Sequence, residues 1–136
     1  MRRSLLILTL AALGVAGCDR GQAPVAQAPD AASDLRPLMP QIAALDVEPT
    51  PSGAIVRATG LPPVQGYWNG ALVPVDTADP SVLGFQFRAE PPEEAARIST
   101  ARSRHVTVAV FVPEARLRGI REIRVAAAGN VRAARR

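Results

Sequence analysis

The chain contains one cysteine, one histidine and no lysine, which excludes every mechanism that depends on a lysine side chain. The cysteine, Cys18, comes after an apolar stretch from Leu5 to Leu13, and that stretch follows Arg2 and Arg3. A thiolate is a soft nucleophile. Cys18 is therefore the first candidate site, and the residues around it must indicate whether it is an idle thiol, a redox site or a point of attachment.

The first seventeen residues have the layout of an export signal, with positive charges followed by an apolar segment. The segment from Ser4 to Gly17 is shorter than the roughly 20 apolar residues that a membrane-spanning helix needs. Its last residues and the cysteine, Val15-Ala16-Gly17-Cys18, resemble the lipobox of bacterial lipoproteins at all four positions. The resemblance implies cleavage between Gly17 and Cys18, a diacylglycerol on the Cys18 thiol and an acyl chain on the new amino terminus. We expect no cofactor besides this lipid.

Asp19, directly after the cysteine, resembles the sorting residue that keeps lipoproteins of some bacteria in the inner membrane. Arg2 and Arg3 also suggest a twin-arginine signal, but the strongly apolar stretch after them favours general secretion. Each buried methylene of an acyl chain adds about 0.8 kcal/mol, so two or three chains hold a protein at a membrane durably. We therefore expect a protein of the cell envelope that faces the periplasm and does not span the membrane. Whether it resides in the inner or the outer membrane stays open, with Asp19 favouring the inner one.

The other candidate catalytic groups lack the partners that their chemistry requires. No second histidine accompanies His105 for a zinc site, so we expect a surface histidine at a strand edge and no metal site. No G-x-S-x-G motif is present. Asp46 and Glu48 share one face of a strand, typical of a solvated surface; a hydrolase would need these carboxylates, or Asp76, in a cleft near Trp68. We expect a non-enzymatic protein and keep the hydrolase as the weaker alternative.

The only tyrosine and the only tryptophan are neighbours, Tyr67 and Trp68. Adjacent residues of a strand face opposite sides of the sheet, so one of the two points inward. We expect Trp68 to be the buried indole of the core. In the alternative, Trp68 is exposed beside Asn69 as a stacking surface for a glycan or a partner protein, and Tyr67 is the core residue.

Charge is distributed unevenly along the chain. Residues 41–96 carry two arginines and seven acids, whereas residues 97–136 carry ten arginines and two acids. Arginine suits phosphate and carboxylate groups, and export favours an anionic envelope surface over nucleic acid as the partner. The arginines that we expect in a binding surface with Trp68 and Asn69 are Arg102, Arg104, Arg121 and Arg124. Scattered solvated charge is the alternative.

The elements that must position these residues form one domain. Removal of residues 1–17 leaves 119 residues, too few for two comfortable domains. Residues 18–40 are rich in alanine and proline without hydrophobic periodicity, which predicts a lipidated, flexible tether. The folded domain is predicted over residues 41–128, followed by a basic tail at 129–136.

Short runs of apolar residues separated by turn residues predict an all-β domain. The strongest run has valine at alternate positions and apolar residues on both faces, which predicts a central, buried strand. Prolines followed by Glu93 and Glu94 predict one short helix over residues 91–99. The predicted strands are 42–49, 53–60, 65–75, 82–90, 105–113 and 119–129. This pattern is typical of an immunoglobulin-like or fibronectin-like β-sandwich, with a small β-barrel as the alternative.

The anchor and the domain together predict a lipid-anchored envelope protein that presents a β domain for binding or envelope assembly. Its expected partner is an envelope protein. The alternative is an arginine-rich module that binds anionic lipid or a cell-wall polymer directly.

Overall fold

The computed structural model describes residues 33–95 and 100–136 and shows a two-sheet β-sandwich. The first sheet has the strand order β1-β2-β5 and the second has the order β3-β4-β6-β7. The two sheets pack together, with β3 against β5 and β1 against β7. The strands are β1 (Ile42–Thr50), β2 (Gly53–Gly60), β3 (Trp68–Val75), β4 (Val82–Glu90), β5 (Val106–Pro113), β6 (Glu122–Ala126) and β7 (Val131–Arg135). The predicted all-β sandwich is therefore confirmed, and the alternative of a closed barrel is not what this region forms.

The strands pair antiparallel except for β4 and β6, which are parallel. A parallel pair needs a crossover connection, and here the chain makes it by way of β5 in the other sheet. The half of β4 that β6 leaves unpaired is covered by the residues before β1. The Met39 amide donates to the Phe87 carbonyl at 2.8 Å, and the Ala89 amide donates to the Pro37 carbonyl at 3.1 Å.

The core lies between the two sheets and follows the alternation of the sequence. Phe85, Phe87 and Ala89 of β4 are buried, as the period of two predicts. Ile123 and Val125 of β6 are buried in the same way. Met39, fully covered, adds a side chain from the segment before β1. Because the core covers the inner faces of β3, β4 and β6, only their outer faces and their ends are accessible to a ligand.

The prediction that residues 105–113 form a central strand is wrong. β5 is the edge strand of the three-stranded sheet, because β2 is its sole partner there. Its valines face the core, but Thr107, Ala109 and Phe111 are exposed on the other face. Apolar residues on both faces of a strand do not determine its place in a sheet, because that place depends on distant pairing partners.

The predicted helix over residues 91–99 is not formed at 91–95, and residues 96–99 lie outside the described chain. A segment this short gains few helical hydrogen bonds for the cost of nucleation. A helix that the sequence analysis missed, α1 (Glu114–Leu117), follows β5 instead. It buries Leu117 against the end of the sandwich.

The folded region extends past both ends of the predicted 41–128 domain. The predicted basic tail, 129–136, contains β7, which pairs along the length of β6. Asn130 holds this hairpin to β1, because its side-chain amide accepts from the Ile42 amide at 2.8 Å and donates to the Ile42 carbonyl at 2.9 Å. At the other boundary, residues 36–40 form hydrogen bonds with the folded region and Met39 is buried, so the predicted tether ends earlier than residue 40.

Candidate binding surfaces at the two ends of the sandwich

The strand register identifies what lies at each end of the sandwich. Trp68, at the start of β3, pairs with Glu90 at the end of β4. In the other sheet, Val106 at the start of β5 pairs with Gly60 at the end of β2. Gly60 packs so closely on Met39 that a Cβ added to Gly60 would lie 2.8 Å from the Met39 side chain. Met39 is also hydrogen-bonded to β4, so the start of β3, the end of β4, the end of β2 and the start of β5 lie at one end of the sandwich. We call this the Trp68 end.

Trp68 is exposed, which corrects the prediction that it is the buried indole of the core. Its exposed fraction is 59%, whereas Tyr67 is half-buried and packs against the core. The pairing of β3 with β4 shifts register between Trp68 and Ala71, and Asn69 has a left-handed φ of 49°. Such a bulge changes the direction in which the side chains beside it point. Alternation alone therefore could not identify which aromatic residue faces inward.

Asn69 is fixed by residues that precede β1. The Arg36 guanidinium donates to the Asn69 carbonyl at 2.7 Å and also forms an ion pair with Asp34. The Asp34 side chain is 3% exposed, and the hydrogen bonds from Arg36 lower its pKa from 3.8 to about 2. Arg88 of β4 donates to the carbonyl oxygens of Asp34, at 3.1 Å, and of Arg36. These contacts attach residues 34–36 to β4 and to the start of β3.

Arg102 and Arg104 belong to the Trp68 end, in a 3-10 turn that immediately precedes β5. Arg102 is exposed, and Arg104 is half-buried. Arg104 lines a shallow cleft of about 340 Å³ with Pro40, Gln41 and Leu61–Pro63. Its Nε atom is covered and has no hydrogen-bond partner among the described residues.

The opposite end carries a larger cleft, where β4 and β6 begin and β7 ends. Its volume is about 490 Å³. The lining residues are Asp79, Ser81, Val82, Arg121, Glu122, Arg124, Arg135 and Arg136. Four arginines therefore face two carboxylates, and we call this site the arginine cleft.

Two arginines of the cleft are neutralised by acids and two are not. Arg124 pairs with Glu122 at 2.6 Å, and Arg136 pairs with Glu114 of α1 at 2.8 Å. In residues 33–95 and 100–136, no acidic side chain pairs with the guanidinium of Arg121 or Arg135. The two free guanidinium groups make the cleft suited to an anion.

Asp79, on the rim of the cleft, adds a fixed negative charge. Its carboxylate accepts hydrogen bonds from the Ser81 amide and hydroxyl, both at 2.8 Å. These bonds, with a smaller contribution from nearby Arg121 and Arg124, lower the pKa of Asp79. Asp79 is therefore already engaged by Ser81 when an anion approaches the arginines.

The structure divides the binding surface that the sequence predicts. Trp68, Asn69, Arg102 and Arg104 lie at the Trp68 end, whereas Arg121 and Arg124 lie in the arginine cleft. Arg135 and Arg136 join the cleft because β7 pairs with β6, and they were not among the predicted site residues. The signal for this hairpin was Gly129-Asn130, a turn dipeptide between two strand-like runs.

The carboxylates that a hydrolase would need do not gather around Trp68. Asp46 and Glu48 are exposed on β1, and Glu48 forms an ion pair with Arg57. Asp76 follows the far end of β3, roughly 25 Å from Trp68 along an extended strand. His105 is exposed next to β5. The described chain contains no group of three or more histidine, cysteine, aspartate or glutamate residues placed to hold a metal ion.

The lipobox residues, Val15 to Cys18, and the possible sorting residue Asp19 lie outside the described residues. Among the helices that are described, none has the length and apolar character needed to cross a membrane. Comparison of the chain with protein-family models, with curated proteins and with solved structures gave no match.

Proposed function

We propose that this protein is a lipid-anchored envelope protein, held at a membrane through Cys18, whose β-sandwich is a non-enzymatic binding module facing the periplasm. The observation that carries the proposal is Val15-Ala16-Gly17-Cys18, placed directly after a positively charged and apolar segment. The partner that the module binds is an envelope protein or an anionic component of the envelope.

The distance along the chain between the lipid and the domain supports this arrangement. Residues 19–33 separate Cys18 from Asp34, whose side chain is covered and forms an ion pair with Arg36. Fifteen residues span roughly 47 Å when extended and about 20 Å as a flexible coil. The sandwich therefore works close to the membrane surface.

Mass spectrometry of protein purified from bacterial membranes tests the anchor. We expect a mature chain that begins at Cys18 and carries a diacylglycerol and an additional acyl chain. The Cys18→Ser variant should lack both and stay uncleaved at Gly17. Asp19→Asn is the matched control, because it should keep the lipid and change only the distribution between inner and outer membranes. A wild-type chain cleaved elsewhere, with an unmodified Cys18 thiol, would contradict the proposal.

Direct binding of an anionic ligand by the arginine cleft is the second candidate function. It is supported by the guanidinium groups of Arg121 and Arg135, which face one cleft and have no acidic partner among the residues that the structure describes. The ligand is a polymer or lipid that carries phosphate or carboxylate groups.

Co-sedimentation of a chain that is expressed without residues 1–17 and carries Cys18→Ser, residues 18–136, tests this second function. The probes are purified cell-wall sacculi and, separately, phosphatidylglycerol vesicles. Binding should be present at low ionic strength and should fall steeply above about 0.15 M salt, where the Debye length is about 8 Å. Binding that is insensitive to salt would contradict a role for the arginines.

A further inference from the structure

Two large apolar side chains are exposed to solvent at the Trp68 end. Leu35 is 96% exposed and Trp68 is 59% exposed. Leu35 immediately precedes Arg36, and Trp68 immediately precedes Asn69. A hydrogen bond from the Arg36 guanidinium to the Asn69 carbonyl, 2.7 Å long, joins these two neighbours. Leu35 and Trp68 therefore lie in the same small region of the surface.

Hydrogen bonds hold the backbone of this region, although its apolar side chains are exposed. The ion pair of Asp34 with Arg36 is largely covered, and Arg88 donates hydrogen bonds to the backbone on both sides of Leu35. On the Trp68 side, the Asn69 carbonyl accepts the hydrogen bond from Arg36, and Asn69 has a φ of 49°, a conformation that asparagine adopts more readily than most other residues with a side chain. The fold therefore positions the backbone next to both exposed side chains.

The course of the chain places this region nearest to the lipid. The described chain begins at Ser33, close to Arg36, whose guanidinium donates to the Asn69 carbonyl, and fifteen residues separate Asp34 from Cys18. Phe111, which is also exposed, lies toward the opposite end of the sandwich, where β5 meets the turn between β1 and β2. In an anchored domain, Leu35 and Trp68 can therefore reach the bilayer with a shorter tether than the residues at the opposite end of the sandwich need.

We propose that Leu35 and Trp68 form a membrane-docking face, which seats the indole in the headgroup region of the bilayer that carries the Cys18 lipid. Tryptophan is enriched at this depth because its ring is apolar and its N–H group is polar. The inference rests on the lipid anchor proposed above. It deepens that proposal by giving the domain an orientation, with the arginine cleft turned away from the membrane.

The charges around this face are mixed, so the contact depends on apolar side chains. Glu90, Glu93 and Glu94 belong to the same end as Arg102 and Arg104. A face of this kind has no preference for anionic lipid. Two side chains bind a bilayer weakly, but a short tether raises their effective concentration at the surface to the millimolar range.

Trp68 is the only tryptophan of the chain, so its fluorescence reports on this face alone. The lipidated mature protein is reconstituted into phosphatidylcholine vesicles with ordinary acyl chains and into vesicles with acyl chains brominated close to the headgroups. We expect the brominated lipid to lower Trp68 emission by about twofold or more, as expected for an indole in the interface. The quenching should persist in 0.5 M salt, roughly five times the concentration at which the Debye length is about 10 Å.

Two variants control for general proximity to the membrane. The double variant Trp68→Phe/Phe111→Trp moves the probe to a site of similar exposure, 51%, at the other end, and its emission should be unaffected by bromine. Leu35→Ser should weaken the quenching of Trp68 without affecting the fold, because the Leu35 side chain packs on nothing.

Equal Trp68 emission in both kinds of vesicle would overturn the docking face, as would equal quenching at position 111. A blue shift that depends on protein concentration and not on lipid would also overturn it, and would indicate that a second copy covers Trp68. Mass spectrometry of each sample separates the two proposals. A lipidated chain with unquenched Trp68 overturns the docking face alone, whereas a chain without lipid on Cys18 overturns the anchor and the docking face together.

Discussion

The two ends of the sandwich differ in the kind of interaction that they can make. The Trp68 end exposes Leu35 and Trp68 among charges of both signs, and hydrogen bonds from Arg36 and Arg88 hold its backbone. The opposite end has a cleft in which arginines outnumber acids. The first surface suits an apolar contact that salt does not screen, and the second suits an electrostatic contact that salt weakens. One small fold thus separates an exposed apolar surface from a charged cleft by placing them at opposite ends of the same strands.

The largest expected effect concerns whether the segment before β1 is part of the fold. Met39→Ala should lower the free energy of unfolding by about 2–5 kcal/mol, because Met39 is fully buried and its loss leaves a cavity. Urea unfolding followed by circular dichroism measures this change. Leu35→Ala is the matched control in the same segment and should change stability by less than about 0.5 kcal/mol. Equal stability of both variants would show that residues 34–40 only tether the domain.

The next effect concerns the arginine cleft. Arg121→Glu combined with Arg135→Glu should weaken the salt-sensitive binding by about tenfold or more, equivalent to about 1.4 kcal/mol, because both unpaired guanidinium groups are lost. Co-sedimentation with the probes described above measures the loss. Arg102→Glu makes a charge reversal at the Trp68 end and should leave this binding unchanged. Equal losses in the two experiments would mean that net charge, and not the cleft, determines binding.

A smaller effect is expected from acid. The folded protein lowers the pKa of Asp34 to about 2 from its ordinary 3.8, so the ionised carboxylate stabilises the folded state. This stabilisation is complete above about pH 4 and is lost as the pH falls toward 2. Trp68 fluorescence, followed from pH 5 to pH 2, reports on it, since Trp68 adjoins Asn69.

The Asp34→Asn variant should lose the part of this acid transition that arises from the Arg36 ion pair. Asp46→Asn removes an exposed carboxylate on β1 and serves as the control, with an acid transition like that of the wild type. Superimposable curves for Asp34→Asn and the wild type would show that the ion pair does not fix this end.

The smallest effect is expected at Trp68, which the sequence predicts to be buried and the structure shows to be exposed. Trp68→Ser should change the free energy of unfolding by about 0.5 kcal/mol or less, because most of the indole is already in water. Phe87→Ala, in the core of the same sheet, should cost about 3–5 kcal/mol. Chemical denaturation of both variants measures the contrast. A loss of several kcal/mol in the free energy of unfolding on Trp68→Ser would contradict the exposed position and indicate that the indole is buried in the core.

The parts of the fold that follow from local alternation could be predicted from the sequence. The strand at 82–90 has the predicted bounds, and its inward residues Phe85 and Phe87 are buried as expected. The errors arise where position depends on distant pairing. β5 lies at an edge because β2 is its sole partner in the three-stranded sheet, and β7 forms because β6 offers a free edge to an alanine- and arginine-rich segment.

The candidate site was predictable in its residue types but not in its arrangement. The bulge around Asn69 turns Trp68 outward, and no period in the sequence marks that bulge. The arginines fall at two ends because residues 102–104 and 121–124 flank β5, a strand that runs the length of the sandwich. The distance between the two groups of arginines depends on the length and direction of β5, and the distribution of charge along the sequence gives no information about either.

The pairing of residues 37–39 with β4 has a mechanical consequence for a domain fastened by its leading segment. A pull on that segment first loads the contacts of Arg36 with Asp34 and Asn69. It then loads the two backbone hydrogen bonds that join Pro37 and Met39 to β4, a strand flanked by partners on both sides. In the proposed anchored protein, tension on this segment therefore acts first on its contacts with β3 and β4 of the second sheet.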